Sequence, residues 1–183
     1  MDALDVVKQD LLDLADFAYG RLRTRVGGLT TEEYLWEPAA DCWSVRPGPD
    51  GTMVADGADG PVDPPPLTTI AWRICHIIDL LAGERNATWI GVTPTGTLVD
   101  VGAPATASAA IERLEAAYRL FRTHVAAIEA ATLIDPMGSV ARFYADSSRG
   151  AFVLHELDEL IHHGAEVGVL RDLYRASVHK GPA

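Results

Sequence analysis

Cysteine is nearly absent from this chain: Cys42 and Cys75 are the only two in 183 residues. One lies in a Pro- and Gly-rich stretch and the other inside a strongly apolar one, which supports neither a disulfide framework nor a C-x-x-C motif. Cys75 reads as a buried, inert thiol that packs as a small hydrophobe. Basic residues are scarce too. The 15 Lys and Arg face 26 Asp and Glu, and the resulting charge of −11 repels phosphate backbones and anionic lipid. Neither nucleic acid nor a membrane is expected as a partner. No window approaches the ~18 uninterrupted apolar residues of a spanning helix. The opening "MDALDVVKQDLLDLADFAYG" lacks a basic segment followed by an apolar one, so no secretory signal is visible and a cytoplasmic location is expected. Strand signals and repeats are missing as well: no useful run alternates with period two, and no internal period recurs.

What is present is apolar residues at helical spacing. At 183 residues and 48% hydrophobic, the chain is long enough for one well-buried core and somewhat short for two, so a single domain over 1–183 is expected. Leu4, Val7, Leu11, Leu14, Ala18 and Leu22 fall on one face of a first helix that Gly27 and Gly28 end. A short helix follows from Thr31 through Trp36, capped by Thr30 or Thr31, with Glu32 and Glu33 at its positive end. A second helix is expected from Thr68 to Trp89. A third is expected from Ala107 to Ala131, where Ile111, Leu114, Tyr118, Phe121, Val125 and Ile128 form a packing seam. The fourth begins near Ser147 or Ser148 and ends around Ala176, which at ~1.5 Å per residue makes it roughly 40 Å long, the height of a four-helix bundle.

Residues 38–66 are too rich in Pro, Gly and Asp for a helix and make a connection much longer than usual. Trp43 and Arg46, in "CWSVRP", carry enough side-chain area to fold this loop back onto the body. Its first third is expected to be ordered and its second third mobile. All-α, with four helices and one long crossover loop, is the architecture these signals give.

Two helices carry the candidate chemistry. In "TTIAWRICHIIDLLAG", His76 sits among Ile74, Cys75, Ile77 and Ile78, so almost any rotation of the helix buries it in part. A buried imidazole needs partners for its nitrogens, and the ordinary ones are Asp79, a serine or a backbone carbonyl. The fourth helix changes the balance. At ~100° per residue, His155, Glu159, His162, His163 and Glu166 share one arc, with Glu156 and Asp158 at its edges. Leu170, Leu173 and Tyr174 continue that arc, while Leu157, Ile161, Gly164 and Gly168 hold the opposite face. Two glycines in a helix interior forgo ~2 kcal/mol of propensity, which close helix approach would offset. A helix packed on both sides leaves the polar arc lining a cleft rather than simply solvated.

Glu159 and His163, four apart, stack one turn from each other, as do the two ligands of an H-E-x-x-H zinc helix. With His76 from a facing helix, they make two imidazoles and one carboxylate. Three protein ligands with an open position is the layout of a catalytic metal site, with zinc, iron or nickel as candidates. Glu166, His162 or His155 would then orient the ligands or act as a base near bound water. His124 and His179 read as surface residues.

"TIAWRICHII", "HELDELIHHGAEVGVLRDLY" and the tryptophan-bearing "CWSVRP" together resemble the DinB/YfiT-like superfamily. The resemblance implies a four-helix bundle and a metal held by one histidine of the second helix and an H-x-x-x-H pair of the fourth. His76 matches the first ligand and His163 the last, while Glu159 stands where the middle histidine would be. A carboxylate also binds divalent metals, with altered charge and preference. Relatives of this kind include S-transferases that join a low-molecular-weight thiol such as mycothiol or bacillithiol to electrophiles, a mycothiol-using isomerase and some hydrolases. The resemblance thus implies a metal that lowers a thiol's pKa and a small-molecule substrate in a cleft, with Trp43 and Arg46 on one wall and Arg46 placed to clamp a carboxylate. Glu166 and His162 are the candidate catalytic residues. The competing reading is a non-catalytic bundle, a binder or stress-response scaffold, that holds no metal and dimerises through an unused apolar face.

Overall fold

The computed structural model describes residues 2–96 and 102–179. It is all-α apart from one short hairpin. The helices are α1 (Ala3–Val26), α2 (Thr31–Leu35), α3 (Ile70–Leu81), α4 (Arg85–Trp89), α5 (Ala107–Ala127) and α6 (Arg149–His179), with 3-10 turns at Ala130–Ile134 and Ser139–Tyr144. The hairpin pairs β1 (Val45–Pro47) with β2 (Met53–Ala55). Among the described residues no helix is long and apolar enough to cross a membrane.

The four long helices form a closed ring in which α6 packs on α1 and α3, and α5 packs on α3 and α1. Their directions follow from the pairs that touch. Tyr19 stacks on Tyr118 and Lys8 donates to the Ile128 carbonyl, so α1 and α5 are antiparallel. Arg73 meets Glu166 and His76 meets Glu159, so α3 and α6 are antiparallel. Gly164 lies against Leu22 and Gly168 against Arg25, so α1 and α6 are parallel; the neighbours α3 and α5 therefore run the same way, and the chain between them must recross the length of the bundle. The core holds Leu11, Ala18 and Leu22 of the expected α1 stripe, whose Val7 and Leu14 are exposed, together with Ile70, Ile74 and Ile77 of α3, Leu114, Phe121 and Val125 of the expected α5 seam, and Val153, Leu157 and Leu160 of α6.

Side-chain caps set the helix starts. Asp2 and Asp5 form a capping box at α1, and the hydroxyls of Thr30, Thr69 and Thr106 accept from the first turns of α2, α3 and α5. The expected second helix is broken into α3 and α4. Asn86 reaches back, and its Nδ2 donates to the carbonyls of Leu80 and Leu81 at 2.8 and 3.1 Å, taking up groups that an unbroken helix would have bonded itself. The third helix stops at Ala127, four residues short of the expected Ala131, and continues as a 3-10 turn. At α1–α6, a Cβ built on Gly168 would lie 3.2 Å from Arg25 Nε, a tight approach, whereas one on Gly164 would meet Leu22 at an ordinary 3.7 Å, so only one of the two glycines marks the expected close approach.

The long loop departs from expectation in its second third, which is hydrogen-bonded. Gly48 N–H donates to the Thr52 carbonyl at 2.7 Å, Gly51 turns the hairpin at φ +83°, and Val45, Arg46 and Pro47 oppose Ala55, Val54 and Met53. Trp43 exchanges backbone bonds with Leu67 and Thr69, which ties the loop to the start of α3.

Candidate metal centre

Because α3 and α6 are antiparallel neighbours, residues one turn apart on each helix meet across the interface. His76 Nε2 lies 3.5 Å from Glu159 Oε2, and His163 Nε2 lies 2.9 Å from the same oxygen. The imidazoles of His76 and His163 are edge to face, with centroids 4.7 Å apart. One donor atom from each of the three residues falls within 4.8 Å of the others. For Zn–N and Zn–O bonds of about 2.0–2.2 Å in a tetrahedral arrangement, donor atoms lie about 3.4 Å apart. The two separations measured to Glu159 bracket that figure.

The other nitrogen of His163 makes the stronger argument. Its Nδ1 lies 2.7 Å from Glu166 Oε2, so the ring stands between two carboxylates, each of which only accepts. A neutral imidazole has one N–H and can satisfy one of them. The second contact needs a further positive charge, either a proton or a cation held between Nε2 and Glu159. Glu166 is in turn engaged by Arg73, whose Nε lies 2.9 Å from Oε2 and whose Nη1 lies 3.2 Å from His163 Nδ1. This is the carboxylate–histidine arrangement by which metal-binding imidazoles are oriented. Burial pushes the His76 pKa below its ordinary value, with the neighbouring His163 acting in the same direction against the pull of Glu159, so its lone pair is free at neutral pH.

Access is one-sided. The side chain of His163 is 9% exposed, whereas that of His76 is 34% exposed. The opening therefore lies beside His76, against Trp72, which stacks on the His76 ring at 5.2 Å and 16°. The loop fixes that indole. Trp72 Nε1 donates to the Asp56 carbonyl at 2.7 Å, and the Asp56 carboxylate accepts from Ser44 N–H at 2.8 Å and Arg46 Nε at 2.9 Å.

The other residues singled out by the sequence fall in different places. Trp43 lies behind Trp72, with ring centroids 5.7 Å apart. The guanidinium of Arg46 is taken up by Asp56 and by Glu37 at 2.7 Å, within the loop. His162 is mostly exposed, with Nε2 3.4 Å from Glu166 Oε1, and it forms with His163 and Glu166 a second three-residue group that shares His163. His155 points into a separate cavity beside Arg85 and Trp89. Buried Cys75 touches the Tyr34 hydroxyl, and burial pushes its thiol up to about 11, as an inert thiol requires. Leu173 is half exposed, while Tyr174 packs edge-on against Trp36.

His124 is not a surface residue. It is buried on the inner face of α5, where Nε2 accepts from Thr95 N–H at 3.3 Å. The side chain of His179 lies outside the described residues. Sequence reasoning also passed over Arg73 and Glu156. Arg73 is three residues, about five-sixths of a turn, from His76 and half-buried, but only the facing helix reveals its partner. Glu156 was placed at the edge of the polar arc and is fully buried.

No curated protein and no solved structure gives a significant match to this chain. The DinB superfamily profile matches residues 14–167, a span that includes His76, Glu159 and His163. With an all-α bundle and a His/Glu cluster between its second and last long helices, this chain belongs to the DinB superfamily.

Proposed function

We propose that the chain is a divalent-metal-dependent enzyme that joins a low-molecular-weight thiol to a small electrophile, with the metal held by His76, Glu159 and His163. The observation that carries this reading is the pair of carboxylates around the His163 ring, with His76 Nε2 directed at one of them. A metal bound there would supply Lewis acidity, lowering the pKa of a thiol or water at the open position. The chain's own residues do the rest. Glu166 and Arg73 fix the His163 ring and its tautomer. His162, exposed beside Glu166, takes up the proton released at the opening. Trp72, held by Asp56, walls the opening, and Trp43 and Arg46 act through that wall rather than on the substrate. The nucleophile has to come from outside, because both cysteines are buried and the thiol of Cys75 is poorly ionised at neutral pH.

A second reading keeps the same contacts without metal: His163 as an imidazolium between Glu159 and Glu166, in a non-catalytic scaffold. Its separations of 2.9 and 2.7 Å suit charge-assisted hydrogen bonds equally well. Elemental analysis of untagged protein separates the two. The enzyme reading expects about one divalent ion per chain, lost in Glu159→Ala. Metal-free protein whose melting temperature does not respond to Zn²⁺, Ni²⁺, Fe²⁺ or Mn²⁺ would leave only the scaffold.

A further inference from the structure

A second cavity, of about 380 Å³, opens between α4, the 3-10 turn Ser139–Tyr144 and the start of α6. Trp89, Met137 and Phe152 form its apolar wall, and Arg85, Tyr144 and His155 supply its polar side chains. That size is in the range of small-molecule sites. No acidic residue lines it, although the chain carries a net charge of −11. The arginine is thus not offset by any carboxylate on the cavity wall itself.

Arg85 is held in place but weakly neutralised. Its guanidinium carbon sits 5.2 Å from the centre of the Trp89 ring, and that ring is braced edge-on by Phe152, also at 5.2 Å. Among the described residues the carboxylate it meets is that of Glu156, beneath the cavity floor, at a long 3.4 Å from Arg85 Nη2. The other Glu156 oxygen is buried with no hydrogen-bond partner among the described residues. Burial raises the Glu156 pKa to about 7 against the pull of Arg85, so near neutral pH much of its negative charge is gone. The Tyr144 hydroxyl and the His155 ring make no hydrogen bond to the described residues.

We propose that this cavity binds a small molecule with a carboxylate on an aromatic or similarly flat apolar body, the carboxylate on Arg85 and Tyr144 and the body against Trp89 and Phe152. A carboxylate matches the planar guanidinium in two parallel bonds, and a flat apolar body fits the aromatic wall. The cavity lies toward the N-terminal end of α6: Phe152, part of its aromatic wall, precedes Glu159 by seven residues, about 10 Å along the helix. The carboxylate site therefore stands apart from the proposed metal-dependent function.

The test uses the full chain stripped of metal by a chelator and titrated with phenylacetate and with 2-phenylethanol, its uncharged counterpart. Saturable binding of phenylacetate is expected, roughly tenfold or more tighter than the alcohol, as one charge-assisted contact gives. Arg85→Gln removes that margin, and Glu156→Gln keeps it. Should Arg85→Gln fail to fold because Glu156 loses its neighbour, the Arg85→Gln, Glu156→Gln pair carries the same expectation with no buried charge left behind. Equal binding of the two probes, no saturable binding of phenylacetate, or binding that survives loss of Arg85 and disappears in Arg73→Gln would overturn the assignment. Metal content is read separately. Phenylacetate binding in a chain that retains no metal keeps the cavity and removes the enzyme reading, whereas metal without phenylacetate binding does the reverse.

Discussion

The two faces of α6 handle buried polar groups in opposite ways. Toward α1, Arg171 is almost fully buried and fully satisfied: Nε and Nη2 donate to Glu33 at 2.7 and 2.9 Å, and Nη1 donates to the carbonyls of Gly27 and Arg25. Every guanidinium nitrogen has an acceptor there, and the ion pair locks α6 onto the turn that follows α1. Toward α3, the balance fails. His163 stands between two carboxylate acceptors, and a Glu156 oxygen and Arg73 Nε are buried with no hydrogen-bond partner among the described residues. A satisfied network needs nothing further to be stable, and an unsatisfied one stores a demand that a ligand can meet. One face of α6 is structural and the other carries the candidate metal centre.

The contrast predicts unequal responses to substitution. The largest effect belongs to the satisfied face. Arg171→Ala strands the buried Glu33 carboxylate and should lower stability by about 3–5 kcal/mol in denaturant unfolding, with or without added metal. A loss under about 1 kcal/mol would show that the pair is solvated and the comparison false.

On the α3 side, Glu166→Gln leaves His163 able to bind but removes the carboxylate that orients it. Affinity for Zn²⁺ in a chelator competition should fall about 10–100-fold while the unfolding of metal-free protein hardly changes. Unchanged affinity would put Glu166 outside the centre.

Glu156→Gln should stabilise. The folded-state pKa of Glu156 is raised from 4.5 to about 7, so its burial is free of charge penalty below pH 4.5 and becomes costly as pH rises through about 7. The gain is therefore expected to be of order 1–2 kcal/mol at pH 8 and absent at pH 4. A variant less stable than wild type at pH 8 would mean that the Arg85 contact outweighs the desolvation.

The smallest effect is at His124, on neither face. Burial lowers its pKa below the ordinary 6.5, so its contribution is complete above that value and is lost as pH falls through the depressed folded pKa. In metal-free protein, His124→Gln should reduce the loss of unfolding free energy between pH 7 and 5 by about 1 kcal/mol, the worth of the Thr95 hydrogen bond. An unaltered loss would assign the acid sensitivity elsewhere.

The legible parts of the molecule are those that follow from local periodicity. The apolar stripes gave the bundle, and the four-residue spacing of Glu159 and His163, read with an imidazole in an apolar helix, gave the three side chains that converge. The rest depended on rotation or distance. The helix α6 packs on α1 and α3 at once, so apolar residues run nearly round it, and periodicity cannot tell that Glu156 points inward while Asp158 points out. Arg171 and Glu33 are separated by 138 residues and carry no local signal. The strands of the hairpin are three residues long, too short for an alternating pattern to register. His124 was readable and missed: it lies between Phe121 and Val125 on the same packing seam, where a polar side chain is as buried as its neighbours. Gly83 and Asn86 likewise marked the end of α3, since a glycine followed by a side chain able to reach back is a helix stop.

The most direct test is anomalous scattering at the metal edge from crystals grown with Zn²⁺. The account predicts one dominant peak about 2.0–2.2 Å from His76 Nε2, Glu159 Oε2 and His163 Nε2. A peak on His162 and Glu166 at the exposed side of α6, or no peak between α3 and α6, would contradict it.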